Sequence, residues 1–198
     1  MKRPLILLVL FFCSNISNAQ QKDHYIDSIK TYRKNYIETH EVVKKEDKKY
    51  FRFFPVNSGY NISCQFLKVN DSIGFTMKTS ANTLQHYFKY GSLQFDLNGS
   101  SCRLLVYQSS ELMKTEKYKD YLFIPFTDLS TGHETYGSGR YLEFFKNEIK
   151  GDLLQLDFNK AYNPYCAYST GFHCPIPPRE NHLSIAVKAG EKTFAKAH

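Results

Sequence analysis

Short segments that alternate apolar and polar residues, separated by turn-forming residues, fill the chain after Lys49 and limit the folds open to it. They are rich in aromatic and β-branched residues, which is typical of β-strands. Asn98-Gly99 between two of them predicts a tight hairpin turn. Strands do not alternate with helices along the chain, as they would in a protein with a parallel sheet. We therefore predict a mainly β fold, an antiparallel sandwich or barrel. The predicted strands are Tyr50–Phe54, Tyr60–Lys68, Ile73–Thr79, Tyr87–Leu97, Cys102–Gln108, Tyr121–Phe126, Arg140–Phe145, Leu153–Phe158 and Leu183–Lys188.

An amphipathic helix is predicted before these strands. Tyr25, Ile29, Tyr32 and Tyr36 stand at helical spacing, so their side chains share one side of a helix. We expect this helix to run from residue 23 to about residue 45 and to pack its apolar side on the sheet.

The first residues have the pattern of a secretory signal peptide. Lys2 and Arg3 precede the apolar run Leu5–Phe12, and Ser17-Asn18-Ala19 supplies small residues at the positions that determine cleavage. Phe12 is too bulky for the residue before a lipoprotein cysteine. We therefore expect cleavage near Ala19 and a periplasmic or secreted location.

This division leaves an N-terminal helical region at 20–49 and one β-rich domain at 50–198, with no other apolar run long enough to span a membrane. The formal charge is +7, and removing two basic residues with the signal peptide lowers it to +5. A charge of this size without a basic, aromatic platform does not indicate a nucleic-acid partner.

Four cysteines remain after the signal peptide: Cys64, Cys102, Cys166 and Cys174. An even number in an oxidising compartment favours two disulfides, and a Cys166–Cys174 bond would close a long irregular loop.

A metal site is the alternative for the same loop. Cys166, His173 and Cys174 could supply donors, with Glu180 or Asp157 as a fourth ligand. Adjacent His173 and Cys174 cannot readily both face one tetrahedral zinc, so we predict a disulfide and no metal. No motif indicates a cofactor.

Two predicted strands, Arg140–Phe145 and Leu153–Phe158, could pair as a hairpin. In the register that gathers their aliphatic residues on one face, Tyr141 lies opposite Asp157 and Glu143 lies diagonal to it. The pairing suggests either a carboxylate pair for acid–base work or an ion pair of Arg140 with Asp157.

Two segments are candidates for a functional surface, the glycine-rich Thr127–Arg140 and the amide- and ring-rich stretch from Asp157 to Asn181. The first hypothesis is that they form a pocket for a small polar ligand or a cell-envelope component. The second hypothesis is a hydrolase, in which Glu134 or Glu143 would act together with Asp157 and Arg140 would hold an anion. The third is a structural interaction protein. The ligand-binding candidates are Tyr136, Arg140, Tyr141, Asn159, Tyr162, Asn163, His173, Arg179, Glu180 and Asn181.

These segments resemble a bacterial family, the domain of unknown function 1684, in a Bacteroidetes-like form. The resemblance rests on Glu134–Tyr141, Asp157–Tyr168, Cys174–Asn181 and Ala189–Lys192, with Ser138 standing where a second glycine is frequent. The family implies a bacterial setting but no reaction.

Overall fold

A long helix precedes a β-rich body. The structure, a computed structural model, describes residues 6–196 and side chains from Gln20 onward, so Lys2 and Arg3 of the predicted signal peptide lie outside the described residues. Helix α1 spans Ile6–Thr39. It ends earlier than the predicted residue 45, because the chain bends after Thr39 and then forms a 3₁₀ turn at Lys45–Tyr50. Among residues 6–196, no helix is long and apolar enough to cross a membrane.

The body is a curled, mostly antiparallel sheet, a half-barrel, which confirms the predicted fold class. Its main path runs β6-β5-β4-β3-β1-β7, while β2 pairs with β3 and the short β8 pairs in parallel with β5. The predicted strand Tyr50–Phe54 forms only a bridge from Phe53 to Glu191. The strands are β1 (Asn61–Lys68), β2 (Phe75–Lys78), β3 (Leu84–Leu97), β4 (Ser100–Ser109), β5 (Tyr121–Asp128), β6 (Arg140–Phe145), β7 (Leu153–Asp157) and β8 (His182–Leu183).

The predicted hairpin between β6 and β7 is wrong. Leu142 of β6 lies opposite Ile124 of β5, and Leu156 of β7 lies opposite Ile62 of β1. Alternation along a strand determines which face each side chain takes but not which strand is the neighbour. Tyr141 and Asp157 are therefore not cross-strand partners.

The connection between β6 and β7 explains the curl of the sheet. A flat sheet with this strand order would place the two strands about 24 Å apart, since each spacing is about 4.8 Å. The connection is compact, because residues 146–148 form a 3₁₀ turn and Lys150 bridges Leu153. The sheet therefore curls until its two edges approach each other.

Each face of the sheet packs against a different set of side chains. One face holds the larger apolar core, in which Leu142, Phe144, Leu154 and Leu156 are all buried as their alternation predicts. The opposite face carries a smaller, aromatic cluster. Its buried members are Met77, Tyr87, Leu105, Tyr107, Phe123 and Tyr141. The C-terminal segment and the end of α1 cover this second face and enclose a cleft there.

One of the two expected disulfides is formed. Cys166 and Cys174 lie at disulfide distance, whereas Cys64 and Cys102 are free thiols. Cys102 pairs with Phe95 of β3, and the β1–β3 register places Cys64 on the other side of that residue. Two strand spacings, about 9.6 Å, are too long for a disulfide.

Candidate functional site

A cleft of about 630 Å³ lies between the end of α1, strands β3–β6 and the C-terminal segment. This volume is within the range of small-molecule sites. Aromatic side chains dominate its lining. They are Tyr32, Tyr36, His40, Tyr87, Tyr118, Tyr121, Phe123, Tyr141, Tyr162, Tyr165, Phe172 and His173.

One of the two carboxylates that line the cleft, that of Glu143, is held by two phenols. Tyr121 donates to Glu143 Oε2 at 2.5 Å, and Tyr162 donates to the same oxygen at 2.6 Å. Within residues 20–196, no side chain or backbone group makes a hydrogen bond to Oε1. Glu143 is therefore fixed in direction while one of its oxygens is free to accept a further hydrogen bond.

The strand geometry places these three residues together. Along β6, Tyr141 and Glu143 point to the cleft face while Leu142 and Phe144 enter the main core. Glu143 pairs with Phe123 of β5, so Tyr121 lies diagonal to it and within side-chain reach. Tyr162 is brought in by a backbone bridge, in which its carbonyl accepts from Tyr141 N at 2.9 Å.

Three phenols of the cleft, those of Tyr87, Tyr121 and Tyr162, keep their protons at neutral pH. Burial, followed by the neighbouring Glu143 carboxylate, raises the pKa of Tyr121. Burial also raises the pKa of Tyr162 well above its ordinary value, and it raises the pKa of Tyr87 to about 12. These groups therefore act as hydrogen-bond donors rather than as bases.

The helix end contributes a histidine that is neutral. His40 Nδ1 accepts from Val43 N at 3.1 Å, and the ring packs edge-on against Tyr36 and Tyr168. Burial, followed by Lys48, lowers the pKa of His40 to about 4. His40 thus forms part of the wall without adding positive charge.

Arg140 does not reach the cleft. Its side chain is 0% exposed and forms a buried ion pair with Asp128 at 2.8 Å, rather than the predicted pair with Asp157. It also donates to the carbonyls of Val187 and Ala189. Arg140 thus joins β6 to β5 and to the C-terminal segment.

The proposed acid–base carboxylates have separate partners. Asp157 accepts from Tyr25 Oη at 3.0 Å and from Asn159 N at 2.9 Å, which ties α1 to the end of β7. Glu134 pairs with Lys188 at 3.1 Å on the surface. Neither carboxylate is a neighbour of Glu143 in the cleft lining.

The three predicted asparagines are fully buried braces of the backbone. Asn181 accepts from Leu105 N and donates to the carbonyls of Leu105 and Pro125. Asn159 accepts from Asn57 N, and Asn163 donates to the Lys192 carbonyl. Their amide groups hold the loops in place instead of facing a ligand.

The remaining candidates are divided between the cleft and the outer surface. Tyr141, Tyr162 and His173 line the cleft. Tyr136 donates to the Cys166 carbonyl, so the two predicted segments do meet. Glu180 accepts from Tyr107 and pairs with Lys89, and Arg179 is exposed beside it.

Sequence reasoning missed most of the cleft wall. Tyr87, Tyr121 and Phe123 were predicted only as strand residues, and Tyr32 and Tyr36 only as the side of the helix that packs on the sheet. The abundance of tyrosine on both elements was the available signal. Among residues 20–196, no cluster of three or more metal-ligating side chains occurs.

Comparison with known proteins supports the fold and supplies no activity. A family model described as "Protein of unknown function (DUF1684)" matches residues 48–192. The chain is similar to an uncharacterized protein of Haloarcula marismortui, solved in solution by NMR, with 28% identity and a TM-score of 0.65. The match covers 88% of this chain and 97% of that one. No curated protein matches.

Proposed function

The chain belongs to the DUF1684 family, and from the cleft itself we propose that it binds a small polar organic ligand. The lining supports this proposal because it combines extensive ring surface with hydroxyl, amide and carboxylate groups, which can bind the apolar and the polar parts of a small molecule. The ligand would contact the rings of β3, β5 and β6 on one side and those of α1 and the C-terminal segment on the other.

The observation that carries the proposal is the arrangement around Glu143. Two phenols point at one oxygen of this exposed carboxylate and leave its other oxygen open to the cleft. A carboxylate orientated in this way is prepared to accept one hydrogen bond from a molecule in the cleft.

Binding is favoured over hydrolysis by the same geometry. The carboxylates and the arginine proposed for a hydrolytic mechanism have structural partners away from Glu143, with Asp157 bonded to Tyr25 and Arg140 bonded to Asp128. The phenols nearest Glu143 have raised pKa values and do not serve as bases at neutral pH.

A matched pair of helix variants tests the proposal. Thr39 lines the cleft and Thr31 lies outside its lining, yet both are exposed on α1 and donate to the carbonyl four residues earlier. Saturation-transfer NMR with a panel of small polar compounds should find ligands whose signals Thr39→Trp abolishes and Thr31→Trp preserves. A panel without ligands, or equal signals in the two variants, would refute the proposal.

We also propose that the chain acts outside the cytoplasm, in the periplasm or after secretion. The charged and apolar pattern of the first nineteen residues and the Cys166–Cys174 pair support this location. Mass spectrometry of the protein recovered from its native host should find a mature N-terminus at Gln20. An intact Met1 would contradict the proposal.

A further inference from the structure

We propose that the ligand of the cleft is an organic ammonium ion, whose nitrogen donates to Glu143 Oε1 while its carbon skeleton packs against the tyrosine rings. This inference rests on the proposed function and names the chemical class of its ligand.

The charge of the cleft wall is the first argument. Glu41 and Glu143 line the cleft, and no lysine or arginine is among the described residues that do so. The whole chain has the opposite bias, with 26 basic against 19 acidic residues. A concave wall of one charge sign attracts ligands of the other sign.

The field of Glu143 extends over the neighbouring phenols. After burial, its charge contributes to raising the pKa of Tyr32 to about 12, and it also helps to raise the pKa values of Tyr121 and Tyr165. Groups on the helix, on the sheet and in the C-terminal segment therefore experience the same negative potential. An ammonium ion placed among them would be stabilised by it.

The rings supply the second argument. Phe123 and Tyr141 pack edge to face with centroids 4.7 Å apart, and Tyr141 and Tyr162 do so at 5.8 Å. Ring faces carry partial negative charge and attract cations, most strongly where water is excluded. Rings that surround a carboxylate thus offer an ammonium ion both hydrogen bonding and cation–π contact.

Anions and sugars fit the lining less well. An anion would meet two carboxylates and no lysine or arginine among the described lining residues. A sugar requires several amide or carboxylate groups directed at its hydroxyls, whereas the one amide side chain among the described lining residues, that of Gln85, already donates to the His173 carbonyl and accepts from Tyr87. The charge and polarity of the wall together favour a cation.

Three probes of similar size test this inference: benzylamine, benzyl alcohol and benzoate, which are positive, neutral and negative at pH 7. Isothermal titration calorimetry at low salt should show benzylamine binding about tenfold or more tightly than benzyl alcohol, as expected for a charge-assisted hydrogen bond. Benzoate should bind most weakly.

Two carboxylate variants assign the effect to one residue. Glu143→Gln should remove the preference for benzylamine over benzyl alcohol. Glu180→Gln is the matched control, since Glu180 also accepts from a buried phenol, that of Tyr107, but lies outside the cleft lining. It should leave the affinity for all three probes unchanged.

The outcomes separate this inference from the proposed function. Equal binding of benzyl alcohol and benzylamine, or an unchanged preference in Glu143→Gln, would overturn the cation assignment. If Thr39→Trp still blocked that binding, the cleft would remain a ligand site. Failure of every probe and of the wider panel would overturn both.

Discussion

Glu191 should make the stability of the fold depend on pH. Its carboxyl is 0% exposed and accepts hydrogen bonds from Tyr168 at 2.7 Å, from Tyr36 of α1 at 3.2 Å and from Asn163 N at 3.0 Å. Burial is the dominant cause that raises the pKa of Glu191 from 4.5 to about 7, even though these donors lower it. The folded protein therefore holds the proton in a pH range where the unfolded chain has released it.

The magnitude follows from linkage. Below pH 4.5 both states are protonated, and above pH 7 both are ionised. Between these values the folded state binds the extra proton, so stability falls as the pH rises. At about 1.4 kcal/mol for each pH unit, the loss amounts to about 3 kcal/mol.

Urea unfolding from pH 4.5 to pH 8 would measure this effect in wild type and in Glu191→Gln, which cannot ionise. We expect the unfolding free energy of the wild type to fall by about 3 kcal/mol relative to the variant across this range. Glu116→Gln, at a site 88% exposed, is the control and should track the wild type. A difference between wild type and Glu191→Gln that stays constant with pH would refute the argument.

Three further predictions concern buried charge and sulfur. Arg140→Met should lower the unfolding free energy by about 3–5 kcal/mol, because it leaves the buried carboxylate of Asp128 unpaired. A loss under about 1 kcal/mol, measured by urea unfolding, would contradict the role of the Arg140–Asp128 pair. Replacing both Cys166 and Cys174 by serine should cost about 2–3 kcal/mol through loss of loop closure, measured as a lower melting temperature; an unchanged value would be contrary evidence. Burial raises the pKa of the Cys64 thiol to about 12. Alkylation of the native protein should therefore label Cys102 much faster than Cys64, as measured by mass spectrometry. Equal labelling rates would disprove this.

Much of the local structure could be predicted because its signals lie in short stretches of sequence. Strand positions follow from alternation, and the turn at Asn98-Gly99 follows from residues that tolerate positive φ, observed at 52° and 77°. Tyr50–Phe54 was predicted as a strand because it is rich in rings. Those rings instead pack with α1 and the C-terminus, as Phe51 does against Tyr36 and Phe194.

Long-range partners could not be predicted, because an alternating pattern does not identify the neighbouring strand. The β6–β7 pairing was wrong for this reason, and the predicted partner of Arg140 was wrong with it. Asp128 gave no sign in sequence that it would be buried beside Arg140. The cleft was missed likewise, since Tyr121 and Tyr162 meet at Glu143 only after the C-terminal segment folds over the sheet.

The approach of β6 to β7 has a consequence for how this protein behaves at high concentration. An open sheet exposes unpaired amide and carbonyl groups along its two outer strands, and these groups can recruit strands from other molecules. Here one outer strand, β6, already bonds to the C-terminal segment through Tyr141 and Tyr162, and the compact connection keeps the other close by. The bridge to the C-terminal segment thus occupies part of the β6 edge, at which a strand of another molecule could otherwise pair.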